Sequence, residues 1–217
     1  MKMIVLNASP RKDGNTAILC ENIIQGAESC SAEIEYYNLY DYTFKGCISC
    51  FACHLKTKSE DPLCIINDDI QEILRKCIDA DAIVIGTPIY YGSITSTAQA
   101  FLERLLFAAD TYLIDEEGNR VSKIKKNIKT AIIYTMNATE ELSQFNGEDQ
   151  LAIMRNYLSN IIGDCESLYA YDTKQFKDYT PYLNNMFDPE HKIEQEKTQF
   201  PMDCKKAYEL GQKLVKE

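Results

Sequence analysis

The chain has 217 residues, 45% of them hydrophobic and 26% charged, with a formal net charge of −10. That length and balance suit one globular domain spanning 1–217, able to bury roughly 70% of its unfolded surface. The acidic excess argues against nucleic acid or an anionic membrane as partner, because both demand a positive face.

In chain order, residues 2–6 form a short apolar run that predicts a buried first strand. It is far too short for a signal core or a membrane span, and no later stretch offers about 18 uninterrupted apolar residues. A cytoplasmic protein is expected. A helix opens at Asn15-Thr16, with Ile18, Leu19, Ile23 and Ile24 on one face and Gly26 near its end. A second strand is predicted at 33–38. Asn67-Asp68-Asp69 offers capping side chains to a helix carrying Ile70, Ile73, Leu74 and Cys77. The stretch 82–86 reads as a buried strand, followed by a helix over 95–107. Further strands are predicted at 129–134 and 168–171, with a helix between them over 148–161. The segment 179–201 reads as irregular and a last helix runs from 202 to the end. Asp115-Glu116-Glu117-Gly118-Asn119 reads as a solvated turn, a small hairpin able to meet a second subunit.

Strands alternating with helices predict a parallel sheet covered on both faces. Five strands in this sequence fit a flavodoxin-like three-layer α/β sandwich of order 2-1-3-4-5, whose ligands sit beyond the carboxyl ends of strands 1 and 3. The loops to inspect are therefore 7–16 and 87–96. The first carries Ser9, Arg11, Gly14, Asn15 and Thr16. A helix N-terminus leaves backbone N–H groups free, and the hydroxyls, the amide and the guanidinium add donors for an anion. No Gly-x-Gly-x-x-Gly and no Gly-x-x-x-x-Gly-Lys-Ser/Thr is present, which leaves a monophosphate as the better fit. These residue types are also those of ordinary turns. The second loop reads Pro88-Ile89-Tyr90-Tyr91-Gly92, which offers a flat apolar wall and backbone donors to a flavin ring, or ordinary packing at a strand end.

The cysteines are concentrated in Cys47-x2-Cys50-x2-Cys53, with Cys64 following. Three thiols at this spacing suit one [4Fe–4S] cluster with a fourth from farther along. Zinc and four free thiols are the competing readings. In a reducing compartment disulfides are not expected. Cys20, Cys30, Cys77, Cys165 and Cys204 read as small core residues. His54 and His191 are the only histidines; His54 reads as a surface loop residue, with tuning of the neighbouring cysteine site as its alternative, and Arg104 reads as half of a structural ion pair.

Taken together, Asn7-x-Ser9-Pro10-Arg11-x-x-Gly14-Asn15-Thr16, the cysteine run from Gly46, Asn67-Asp68-Asp69, and Thr87 to Gly92 through Phe101-x-x-Arg104 resemble the NAD(P)H-dependent FMN reductases of the flavodoxin-like superfamily, in the branch related to iron–sulfur flavoproteins. The likeness covers roughly 1–136, with a longer gap to Cys64 than that branch generally shows. It implies FMN, with its phosphate on Ser9, Arg11, Asn15 and Thr16, its ring against Pro88, Ile89, Tyr90, Tyr91 and Gly92, and a third loop at Thr135, Met136 and Asn137. It also implies NAD(P)H as co-substrate, a homodimer or homotetramer, and an acceptor such as a quinone, a flavin or another small molecule. The flavin carries the chemistry, so no side chain is expected to be catalytic. The rival expectation is an electron carrier that relays electrons from FMN through a cluster at Cys47, Cys50, Cys53 and Cys64 to a redox protein. A thiol-based redox sensor is a third expectation.

Overall fold

The computed structural model describes residues 1–145 and 149–216. Its centre is a parallel sheet of β1 (Lys2–Asn7), β2 (Glu33–Asn38), β3 (Ala82–Tyr90), β7 (Lys129–Thr135) and β8 (Cys165–Ala170) in the order β2-β1-β3-β7-β8. This is the expected flavodoxin-like arrangement. One addition is not expected from the sequence: β4 (Ser93–Ile94) folds back antiparallel on the end of β3, while the small hairpin expected at the acidic turn forms as β5 (Asp110–Ile114) with β6 (Arg120–Ser122). The three inner strands are buried on both faces, which their unbroken apolar runs require.

Helices α1 (Asn15–Glu28) and α6 (Pro189–Val215) cover one face; α2 (Gln71–Asp79), α3 (Ser96–Ala109) and α5 (Asp149–Ile161) lie on the other. A further short helix, α4 (Glu140–Phe145), follows β7. The α1–α6 contact is close: a Cβ on Gly26 would strike the Tyr208 carbonyl, and one on Gly211 the Ile23 carbonyl. Only residues without side chains let the two backbones approach this far. None of the helices among the described residues is long and apolar enough to cross a membrane.

Two expectations are corrected. The last helix begins at Pro189, not 202, and so removes much of the irregular segment. Asp188 caps it by accepting from the Glu190 N–H at 3.0 Å, and Pro189 sits where its missing N–H costs nothing. The interior Pro201 is carried within the helix, where its cost falls on the carbonyl of exposed Lys197. The second correction is at α2: Ile70 occupies the cap position and no side chain caps the helix. Asp68 is taken by Arg104, while Asp69 accepts from the Thr43 N–H at 2.8 Å. The predicted start at 148 and end at 217 lie outside the described residues.

Candidate functional site: a cleft at the carboxyl edge of the sheet

β1, β3, β7 and β8 all run the same way, so the loops that follow them emerge at one edge. Two of these loops are stitched together at the outset. The Ala8 N–H donates to the Gly86 carbonyl at 2.7 Å, and the Thr95 hydroxyl donates to the Ala8 carbonyl at 2.9 Å. The result is a cleft of about 570 Å³, partly open to solvent. Ser9, Arg11, Gly14, Asn15 and Thr16 line one side, Pro88, Ile89 and Tyr90 another, and Thr135, Met136 and Asn137 the third.

The first loop is held rigid from within. Buried Asn7 accepts from the Ser9 N–H at 3.0 Å, and the Ser9 hydroxyl accepts from the Arg11 N–H at 3.1 Å, leaving its own proton to give. Gly14 is the cap residue of α1, where no side chain bonds the first turn and no acid stands in it. The bare helix end therefore presents free N–H groups and the positive pole of its dipole. Thr16 and Thr135, both buried, join their hydroxyls at 2.7 Å and tie the first loop to the third. Asn137 lines the cleft with a buried Oδ1 that has no hydrogen-bond partner. A buried acceptor without a partner is costly and marks a place that a donor would fill.

Two predicted contacts fall elsewhere. Tyr91 (φ 52°) and Gly92 (φ 76°) form the two-residue turn between β3 and β4, and Tyr91 projects fully into solvent instead of lining the cleft. Paired positive φ angles are what a tight hairpin of this twist needs. Tyr90 keeps its place at the rim, half-exposed. Sequence reasoning missed Thr173 and Gln175, which close the cleft from beyond β8. Arg11 donates to the Gln175 carbonyl at 2.6 Å and lies 5.9 Å from the Phe176 ring centre, and Asn15 donates to the Lys174 carbonyl at 2.9 Å. The available signal was topological: a fifth parallel strand must also deliver its following loop to this edge.

Cys47, Cys50, Cys53 and Cys64 line one narrow apolar crevice against the second half of α3. The loop bearing them is irregular, with Ser49 (φ 52°) and Phe51 (φ 55°) in the left-handed region. Arg104, 1% exposed, fixes it: the guanidinium donates to the Cys64 sulfur at 2.9 Å, to Asp68 at 2.8 Å, and to the Lys45 and Ile66 carbonyls. The ion-pair reading of Arg104 holds. Buried Lys123 donates to the Cys53 carbonyl at 2.6 Å and the Asp61 carbonyl at 3.3 Å. Burial pushes the Cys53 thiol above its ordinary pKa, with Lys123 opposing the shift. His54 donates its Nε2–H to the Phe107 carbonyl at 2.9 Å and stacks on Tyr112. Among the described residues no three His, Cys, Asp or Glu side chains converge on a single metal ion. Of the other cysteines, Cys20 and Cys77 are core residues, while Cys30, Cys165 and Cys204 are half-buried.

The sequence profile described as NADPH-dependent FMN reductase matches residues 1–120. An iron–sulfur flavoprotein of Methanocaldococcus jannaschii is 34% identical over 104 residues, which is 48% of this chain and 51% of the relative. One of Archaeoglobus fulgidus is 39% identical over 104 residues, 48% of each. This chain thus spans about half the length of these relatives. Among solved structures, the NAD(P)H:quinone oxidoreductase of Methanothermobacter marburgensis superposes with a TM-score of 0.70 at 14% identity, over 100% of this chain and 98% of that one. At that identity the likeness is one of fold.

Proposed function

Starting from a chain that belongs to the NADPH-dependent FMN reductase family, we propose that residues 1–217 form one FMN-binding domain that oxidises NAD(P)H and reduces a small acceptor. The observation that carries this reading is the cleft itself: an uncapped helix end, hydroxyl donors and an unpartnered amide oxygen meet at the switch point of a parallel sheet. These groups fit FMN. Ser9, Asn15, Thr16 and the first N–H groups of α1 would hold the phosphate, with Arg11 supplying positive charge at the rim. Pro88, Ile89 and Tyr90 would back the ring, and the orphaned Asn137 Oδ1 would accept from a ring or ribityl donor.

When bound, FMN supplies the redox chemistry, accepting a hydride equivalent from NAD(P)H and passing electrons on. The protein binds and orients. Its open rim lets donor and acceptor use the same face in turn, and the acceptor class in this reading is a quinone, a flavin or a comparable small molecule. The half-exposed Tyr90 at that rim offers an aromatic surface to either. Exposed Tyr112, Leu113 and Ile114 on the β5–β6 hairpin support an assembly of two or four copies, which light scattering would weigh.

A second reading is favoured by one observation: all four cysteines line the same apolar crevice. A [4Fe–4S] cluster needs four thiolates spread around a volume, whereas one ion draws them within a few ångströms of it. Cys47, Cys50, Cys53 and Cys64 would then be its ligands and the protein an electron carrier, as the names of the two archaeal relatives suggest. Anaerobic purification followed by an absorbance spectrum, an iron assay and a nicotinamide-oxidation assay tests both. Flavin bands with rapid NAD(P)H turnover and no iron support the reductase. A brown shoulder with about four irons per chain and indifference to NAD(P)H supports the carrier. Protein that refuses added FMN removes both.

A further inference from the structure

The family profile stops at residue 120, yet the cleft depends on chain beyond it. Lys192, near the start of α6, is only 1% exposed. Its ammonium donates to the Asn137 carbonyl at 2.5 Å and to Asp172 Oδ1, and it lies 4.8 Å over the Phe187 ring centre. One side chain thus grips three separate pieces: the loop after β7, the loop after β8, and the far end of the strap 172–188. A buried ammonium is tolerated only when its donors are met, and here a carboxylate, a carbonyl and a ring face meet them.

We propose that Lys192 is the positioning residue for the third cofactor loop and for the strap that closes the cleft, an assignment that rests on the FMN reading above. Three geometric links carry it. First, holding the Asn137 carbonyl fixes the rotation of a planar peptide beside the side chain whose Oδ1 has no partner in the cleft. Second, Asp172 sits at φ +56°, an uncommon conformation for a residue other than glycine. Lys192 takes one of its oxygens and His191 the other, at 2.5 Å. With Asp172 so fixed, its N–H reaches the Ala138 carbonyl at 2.8 Å, and both the N–H and the hydroxyl of Thr173 reach the Met136 carbonyl at 3.0 Å. Third, the next two carbonyls along the strap, those of Lys174 and Gln175, accept from Asn15 and Arg11. The Lys192 ammonium is therefore two residues removed from the groups that hold the phosphate loop's own side chains. It touches neither phosphate nor ring.

The test compares Lys192→Met, which keeps the stem and removes the charge, with Lys192→Arg, which restores a charge. FMN-stripped protein is titrated with FMN by quenching of flavin fluorescence, and the melting of the stripped protein is followed separately. The expected result is a rise in the FMN Kd of at least tenfold in Lys192→Met, an altered visible circular dichroism of the bound flavin, and substantial recovery of both in Lys192→Arg. A lowered melting temperature with wild-type Kd and spectrum would make Lys192 purely structural and overturn the proposal. If Lys192→Met does not fold, Asp172→Asn carries the test, because it leaves the ammonium in place without its carboxylate. The same weakening supports the assignment, and an unchanged Kd overturns it. Wild-type protein that binds no FMN fails differently, since it overturns the cofactor reading and this proposal together.

Discussion

At the carboxyl edge of the sheet, three loops reach the cleft directly from β1, β3 and β7, so strand register already decides where Ser9, Pro88 and Asn137 stand. About 15 Å along α3, at ~1.5 Å of rise per residue, the cysteine crevice is walled instead by irregular chain, and two buried cations hold it there. In the cleft the bonds run mostly between backbone and short polar side chains. In the crevice they run from Arg104 and Lys123 to carbonyls and a sulfur. The first kind of site exists once the sheet exists. The second is an assembly of coil around clamps, and it is the one whose shape an occupant would change. Four variants probe that contrast.

Arg104→Met should have the largest effect. It leaves Asp68 without its charge partner and three acceptors without a donor, in a region where the arginine is 1% exposed. Breaking such a buried pair costs ~3–5 kcal/mol. Denaturant midpoints would read this loss, while the FMN Kd of the folded fraction stays within about twofold of wild type. A large loss of FMN affinity would mean that the two regions are mechanically one. Gly86→Ala attacks the cleft from below instead. Its Cβ would lie 2.5 Å from Cys20 Sγ and 2.9 Å from Thr16 Cγ2, wedging α1 off β3. Overpacking of this kind costs ~1–3 kcal/mol, and here FMN titration should register the damage while the reactivity of Cys50, Cys53 and Cys64 toward a thiol reagent does not change. Cys53→Ser comes next, at about 1 kcal/mol, because the buried hydroxyl loses apolar contact and, on its shorter bond, does not reach the Phe107 carbonyl that lies 4.0 Å from the sulfur. Cys50→Ser, at an exposed position, should fall within ~0.5 kcal/mol of wild type. Equal losses for the two would contradict the burial difference across the crevice.

How legible each region was in the sequence follows from the same contrast. The sheet and its order could be read because unbroken runs such as Ala82-Ile83-Val84-Ile85 have few alternatives to a buried parallel strand. Once the order was set, the loops at the switch point were set with it, and of the residues expected there only Tyr91 and Gly92 fall outside the cleft lining. They miss because Tyr-Tyr-Gly-Ser, read as a ring-binding surface, is a two-residue hairpin turn whose geometry turns Tyr91 outward. The cysteine spacing pointed to the crevice but not to its clamps, since nothing local in sequence links Arg104 to Cys64, 40 positions away. Likewise Lys192 falls in the stretch that reads as irregular, and only tertiary packing reveals that it is helical and buried. The capping misreading at Asp68 has the same origin: a carboxylate that could have capped α2 met a stronger, charged donor.

Glu35→Gln should have the smallest effect, and it lies in neither region. On the edge strand β2, Glu35 accepts from Lys76 at 2.6 Å, pairs with Lys2 at 2.6 Å, and accepts from the Tyr37 hydroxyl. The hydrogen bond from Lys2, followed by those from Lys76 and Tyr37, draws its pKa from 4.5 down to about 2. A carboxylate whose folded pKa lies below its unfolded value binds fewer protons when folded, so its contribution is complete above about pH 4.5 and is lost as the pH falls toward 2. The wild-type chain should therefore lose a stabilising increment across that window that the Glu35→Gln variant lacks, and the two melting curves should converge near pH 2. At neutral pH the difference should stay within about 1 °C, because water screens half-exposed pairs. FMN affinity and thiol reactivity should match wild type at pH 7, since no residue of β2 lines the cleft or the crevice. A shift in either at pH 7 would mean that strand register at β2 reaches the cleft through the Asn7–Asn38 bond, 2.9 Å long, and the sheet could no longer be treated as a rigid frame.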